Sequence, residues 1–340
     1  MNYRTLPLLI ALLCLLPGCK YSTYYQPRKQ LLKRIFCIDP LPKGKAVIFI
    51  HCTRESVISK LVHKIDYPYG IIAARNVQQN SILARIALTL DKASPQEFGK
   101  DFFYFYGWHG KLTFSSRMQA AEKLYAVVKD HKGPLTIVAH SHGCSVALYL
   151  ASLAEQHQNY SLVIDKLILL AAPVQTATKH LLHSPIFKEV YTFYSSADFM
   201  QIGDPQGLYW ESYLYSPLNT PIPLLSKRCF DPAPNIIQTR VMLDRQSANH
   251  LHFMISRFLK HLPALLCAVK KRADEGGYEK TRNFSIVNIR PCGLPFEFLT
   301  LDDIRGKYVP RSRYHLAKRE CMQKETYNEA YEVLQTLTQK

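Results

Sequence analysis

The chain has 340 residues and a formal charge of +17, from 43 Lys and Arg against 26 Asp and Glu. That length is ample for one large α/β domain with appendages. The basic residues are scattered (Arg28-Lys29, Lys33-Arg34, Lys270-Lys271-Arg272 and the stretch from Arg311 to Arg319), with no zinc knuckle, RNP motif or basic zipper, so no nucleic-acid partner is expected.

The chain opens with one basic residue, Arg4, and a short apolar run ending Leu16-Pro17-Gly18-Cys19. The run is too short for a comfortable membrane span and fits a secretory signal. Its end resembles a bacterial lipobox. The resemblance implies removal of residues 1–18 and lipidation of Cys19, making residues 19–42, polar and rich in Pro and Lys, a tether. Lys20 follows the cysteine, and no aspartate there argues for inner-membrane retention. The expected setting is therefore the bacterial envelope, with the membrane surface as a partner through the anchor and the outer membrane as one destination. Beyond the signal region seven cysteines remain, with no CxxC pair or metal-ligand spacing. Cys52, Cys144 and Cys267 lie in apolar surroundings and read as small core residues. Cys229, Cys292 and Cys321 could supply a disulfide in an exported chain.

Short apolar strands then alternate with helical stretches. Strands are expected at 46–51, 101–106, 135–139, 166–171, 190–194 and 236–243. Helices are expected at 76–90, 115–129, from Ser145 to about Glu155, and 254–269. This alternation argues for a mostly parallel central sheet with helices on both faces, an α/β fold. Residues 43–270 form the expected domain. Residues 271–340, polar and basic, read as a peripheral extension with one terminal helix from Glu325 to Leu337.

The most informative stretch is Leu135-Thr-Ile-Val-Ala-His-Ser-His-Gly-Cys-Ser-Val-Ala-Leu148. A β-branched run stops at His140-Ser141-His142-Gly143, and a helix-forming run follows at once. A serine at the apex of a sharp strand-to-helix turn is the context of a nucleophile elbow. Small residues two before and two after the serine let strand and helix pass closely, and here these are Ala139 and Gly143. Serine needs a base to take its proton and an acid to orient that base. The loop after 190–194 supplies Asp198, with Asp204 and Asp244 as competitors. The loop after 236–243 supplies His250, with His252 as the alternative base. His140 and His142 are read as elbow residues with no catalytic ring. A metal site of these histidines is not expected, because no carboxylate sits at helical metal spacing. No cofactor is expected.

Over about residues 43–262 these pieces make the chain resemble the α/β-hydrolases of the lipase and esterase type. His51-Cys52-Thr53 sits where that family has its oxyanion loop. Phe105-Tyr-Gly-Trp-His-Gly110, with Arg117 and Ala120-Ala121, is similar to the segment before the elbow strand. The resemblance implies a Ser141–His250–Asp198 triad and an oxyanion hole from the amides of His142 and of Cys52 or Thr53. It implies hydrolysis of an ester through an acyl-enzyme, while the lipid tether, the basic charge and the aromatic segment at 207–215 suggest a lipid or acyl-ester substrate, since fold analogy does not choose one. Cys52 stands where the family has glycine, and Ala139 where it more often has glycine. Two other readings stay open: a binding module that keeps the hydrolase shell, and an acyltransferase using the same triad. The aromatic segment Gly207–Tyr215 is expected either to wall an acyl pocket or to be a packed surface loop.

Overall fold

The structure, a computed structural model, describes residues 39, 41–52, 69–79, 81–218, 220–275, 284–290 and 296–299. The expected signal segment, Cys19, Thr53, Cys292, Cys321 and the expected helix 325–337 lie outside the described residues.

Among the described residues, ten strands form one sheet: β1 (Ala46–Ile50), β2 (Gly70–Ala73), β3 (Phe103–Gly107), β4 (Leu135–His140), β5 (Ile164–Leu170), β6 (Phe187–Tyr194), β7 (Ile236–Leu243), β8 (Gln246–Ser247), β9 (Phe284–Ile289) and β10 (Phe296–Leu299). Their order is β10-β9-β7-β6-β5-β4-β1-β3-β2, with β8 paired to β7. The ladder from β3 through β9 is parallel, while β2, β8 and β10 are antiparallel.

Side chains alternate across the pleat, so each strand feeds two cores. Ala46, Ile48 and Ile50 of β1 face one core, with the buried faces of α2 (Phe114–Val128) and α3 (Gly143–Gln156). Val47 and Phe49 face the other, with α1 (Ile82–Ala93) and α4 (Leu262–Asp274). Local caps fix the starts of two helices: the Ser81 hydroxyl accepts from Ala84 N, and Thr113 from Ser116 N. The fold is therefore α/β, with helices on both faces of a mostly parallel sheet. β1 lies between β3 and β4, so the winding direction reverses there. In open parallel sheets the crevice for a ligand forms at such a switch, outside the carboxyl ends of the strands.

Three expectations are corrected. Residues 271–340 are not wholly peripheral. β9 pairs in parallel with β7, and its Val287 and Ile289 are buried in the core shared with α1 and α4. The run Ser285-Ile-Val-Asn-Ile289 is a strand signal, masked by the polar, basic composition around it. The single helix expected over 254–269 is broken into a 3₁₀ turn (His250–Met254), a one-turn helix (Ser256–Leu259) and α4. Pro263 accounts for the restart, because it lacks an N–H and fits only the first turn. Cys267 is exposed, since α4 turns Leu265, Leu266 and Val269 inward and leaves position 267 to solvent. Cys144 is buried and its thiol donates to the Ala139 carbonyl at 3.2 Å, while Cys52 is half-buried.

The basic cluster at 270–272 is taken up locally. Lys270 pairs with Asp274 at 2.6 Å, Lys271 with Glu275 at 3.7 Å, and Arg272 stacks over Phe298 at 4.7 Å. Among the described residues, no helix is long and apolar enough to cross a membrane.

Candidate active site

Ser141 sits between the last residue of β4 and the start of α3, with φ of 56°. Left-handed backbone at a non-glycine residue is strained and persists only where its surroundings over-determine it. Here Ser141 N donates to Leu170 O at 2.9 Å, and its carbonyl accepts from Cys144 N at 2.9 Å. Close packing requires glycine two residues on. A Cβ at Gly143 would lie 2.5 Å from the His51 carbonyl and 2.8 Å from that of Ile50. Ala139 keeps its methyl between Ile50 and Leu169 on the neighbouring strands.

The loop after β6 brings Asp198 to the same end of the sheet. Its carboxylate divides its two oxygens. Oδ1 caps the short helix Phe199–Ile202 by accepting from Gln201 N at 3.0 Å, and Oδ2 accepts from His250 Nδ1 at 2.8 Å. Both residues are buried. A carboxylate can only accept, so the His250 proton belongs on Nδ1 and Nε2 carries the lone pair. His252 is placed differently. Its Nδ1 accepts from Asn249 N at 3.0 Å, while Asn249 Oδ1 accepts from His252 N at 3.1 Å, a reciprocal cap at the start of the 3₁₀ turn. Among the described residues, the Ser141 hydroxyl makes no hydrogen bond to His250.

The other carboxylates have other partners. Asp244 pairs with Arg257, and Asp204 accepts from His142 Nε2 at 3.1 Å and from the Gln175 side chain. The histidines flanking the serine are thus both engaged. His140 Nε2 donates to the His250 carbonyl at 3.1 Å, with ring centroids 4.7 Å apart, so it braces the segment that carries His250.

The first strand ends in a fixed turn. His51 Nε2 accepts from Trp108 N at 3.1 Å, which leaves Nδ1 to donate to the Cys52 carbonyl. Trp108 Nε1 returns a bond to the His51 carbonyl at 3.0 Å, and the two rings stack. His51 is therefore locked as a neutral ring. The aromatic segment is split in its roles. Tyr209 and Tyr215 pack on Phe114, whereas Leu208, Trp210, Tyr213 and Leu214 stand in solvent. A separate cavity of about 370 Å³ between the β2–β3 edge and α2 is lined by Ile71, Tyr106, Trp108 and Val127, and not by Ser141, Asp198 or His250.

Sequence order had no signal for three of these contacts: Asp204 with His142, His140 with the His250 carbonyl, and Trp108 with His51. Their partners are 62, 110 and 57 residues apart.

Burial holds His140 well below the ordinary histidine value of 6.5, and lowers His142 despite the opposing pull of Asp204. Both rings are neutral in the fold near pH 7. Once unfolded they regain ordinary values and bind protons more readily than the folded chain. Their contribution is therefore full above about pH 6.5 and is lost as pH falls below it. Thermal melts should show the midpoint dropping from pH 7 to pH 5, and His140→Gln should remove part of that slope. An unchanged slope in the variant would contradict this assignment.

No known family profile matches the chain, and no curated protein matches it. Three solved structures with some likeness are esterases. A hyperthermophilic esterase from the archaeon Pyrobaculum calidifontis is 12% identical, with 70% of this chain and 75% of that chain covered and a TM-score of 0.32. An arylesterase is 12% identical over 74% of this chain and 69% of its own, with a TM-score of 0.25. A variant of the rice cell wall degrading esterase LipA from Xanthomonas oryzae is 10% identical over 75% of each chain, with a TM-score of 0.25. Likeness at this level says nothing of substrate or activity.

Proposed function

We propose that the chain is a serine hydrolase acting on carboxylic esters. One observation carries this reading: a strained serine at a strand-to-helix turn, with a buried Asp–His pair at the same end of the sheet. In the substrate complex Ser141 Oγ donates to His250 Nε2, a contact that often closes only when substrate is bound. Oγ attacks the ester carbonyl while Nε2 takes its proton. Asp198 holds the ring in the Nδ1–H tautomer and stabilises the imidazolium. The amide of His142, with that of Cys52 or Thr53, takes the developing oxyanion. His250 returns the proton to the leaving alkoxide. Water then attacks the acyl-enzyme by the same route and frees Ser141.

The rim supports an ester with a long apolar acyl or alkyl group. Among the described residues, nine of the thirteen exposed large apolar side chains come from residues 199–225, which begin right after Asp198. Two more are Leu251, inside the His250 turn, and Ile255, directly after it. Exposed apolar side chains concentrated on the segments next to Asp198 and His250 offer contacts for an apolar ligand. Lipidation at Cys19 and residence on an envelope membrane complete the proposal, and they fit a lipid or acyl-ester substrate.

The test is a panel of p-nitrophenyl esters of rising acyl length. Turnover that rises beyond butyrate is expected. Absence of turnover on every ester by folded protein would sink the proposal.

A further inference from the structure

Beneath the elbow runs a buried polar chain that the proposed triad does not use. Arg117 Nη1 donates to Gln175 Oε1 at 2.6 Å, the Gln175 amide nitrogen donates to Asp204 Oδ2, and His142 Nε2 donates to the same oxygen at 3.1 Å. Its four members come from α2, the segment after β5, the segment after β6 and the residue directly after Ser141. All four are buried, Arg117 and Gln175 completely.

We propose that Asp204 is a positioning residue, which holds the His142 ring and through it the orientation of the backbone amide offered to the oxyanion. This rests on Ser141 being the nucleophile.

Three observations support the role. The backbone around Asp204 is fixed, with the Asp204 carbonyl accepting from Ser226 N at 3.3 Å and the side chain of Gln206, two residues on, accepting from Thr176 N at 2.9 Å. The charges balance at a distance. Among the described residues, Arg117 has no carboxylate within ion-pair reach, and Gln175 joins it to Asp204 by accepting with its oxygen and donating with its nitrogen. Burial disfavours the Asp204 anion, but His142, Arg117 and the Gln175 bond outweigh it and hold the carboxyl below its usual range. Third, Oδ2 alone takes the bonds from His142 and Gln175, while Oδ1 is buried with no hydrogen-bond partner among the described residues, so the carboxylate is turned toward the His142 ring. A buried ionic unit is weak evidence for stability, since apolar packing often does as well. Its attachment to the residue after the serine points to orientation.

The experiment compares Asp204→Asn, His142→Phe and the double variant with wild type. Rates on a p-nitrophenyl ester are divided by active sites counted with a fluorophosphonate, so unfolded protein does not enter. The expected result is a kcat per site lower by about 10- to 100-fold, with KM within about threefold, less than the full loss of an oxyanion donor. The double variant should lose no more than either single, because both break one bond. If Asp204→Asn does not fold, His142→Phe breaks the same bond from the other side. An unchanged kcat per site, or additive losses, overturns the proposal. Failure of wild type to label overturns the serine hydrolase reading instead.

Discussion

Replacing His250 by alanine should lower ester turnover by about 10⁴- to 10⁶-fold, while His252→Ala should stay within a few-fold of wild type. The two histidines are two positions apart in one 3₁₀ turn, so any general disturbance of the turn would touch both. Their contacts separate them. His250 Nδ1 donates to the buried Asp198 carboxylate, whereas His252 caps the turn with Asn249. His252→Ala should therefore appear as about 1 kcal/mol of lost stability from the broken cap, read by urea titration. Equal kinetic losses in the two variants would contradict the assignment of the base.

Asp198→Asn should cost about 10⁴-fold in kcat with KM nearly unchanged. Asparagine is as good an N-cap as aspartate, so the bond from Gln201 N survives and the Phe199–Ile202 helix keeps its start. The change reaches Oδ2 alone in chemical terms. The acceptor for His250 Nδ1–H loses its charge, the imidazolium loses its partner, and the amide can hold the wrong tautomer. Steady-state kinetics beside a thermal melt will separate these effects. A kinetic loss below tenfold with wild-type stability would mean that Asp198 is a cap and nothing more.

Much of the fold was legible in the sequence because its central strands are short β-branched or aromatic runs closed by polar turns. Leu135 to Ala139 reads as a buried strand, and its halt at His140-Ser141-His142-Gly143 is visible without coordinates. The edges were not legible. β2 has only four residues, and β9 follows a polar stretch that hides its apolar run. The break before α4 was written in Pro263 but overridden by the apolar periodicity around it. In the candidate site, order along the chain singled out Asp198 and His250 from several acids and histidines, but it carried no contact between them. Asp198, Asp204 and Asp244 are all acids after the elbow. Only three-dimensional placement gives the first to His250, the second to His142 and the third to Arg257. The same holds for His140, whose ring faces the His250 carbonyl from a position that sequence reading treats as part of the turn.

The most direct measurement is fluorophosphonate labelling of the folded chain beside Ser141→Ala. A hydroxyl activated by His250 and faced by oxyanion donors should be phosphonylated, and Ser141→Ala should take no label at equal folded concentration. Label that persists in Ser141→Ala, or wild type that stays unlabelled while folded, would contradict a nucleophilic Ser141 and with it the proposed hydrolase.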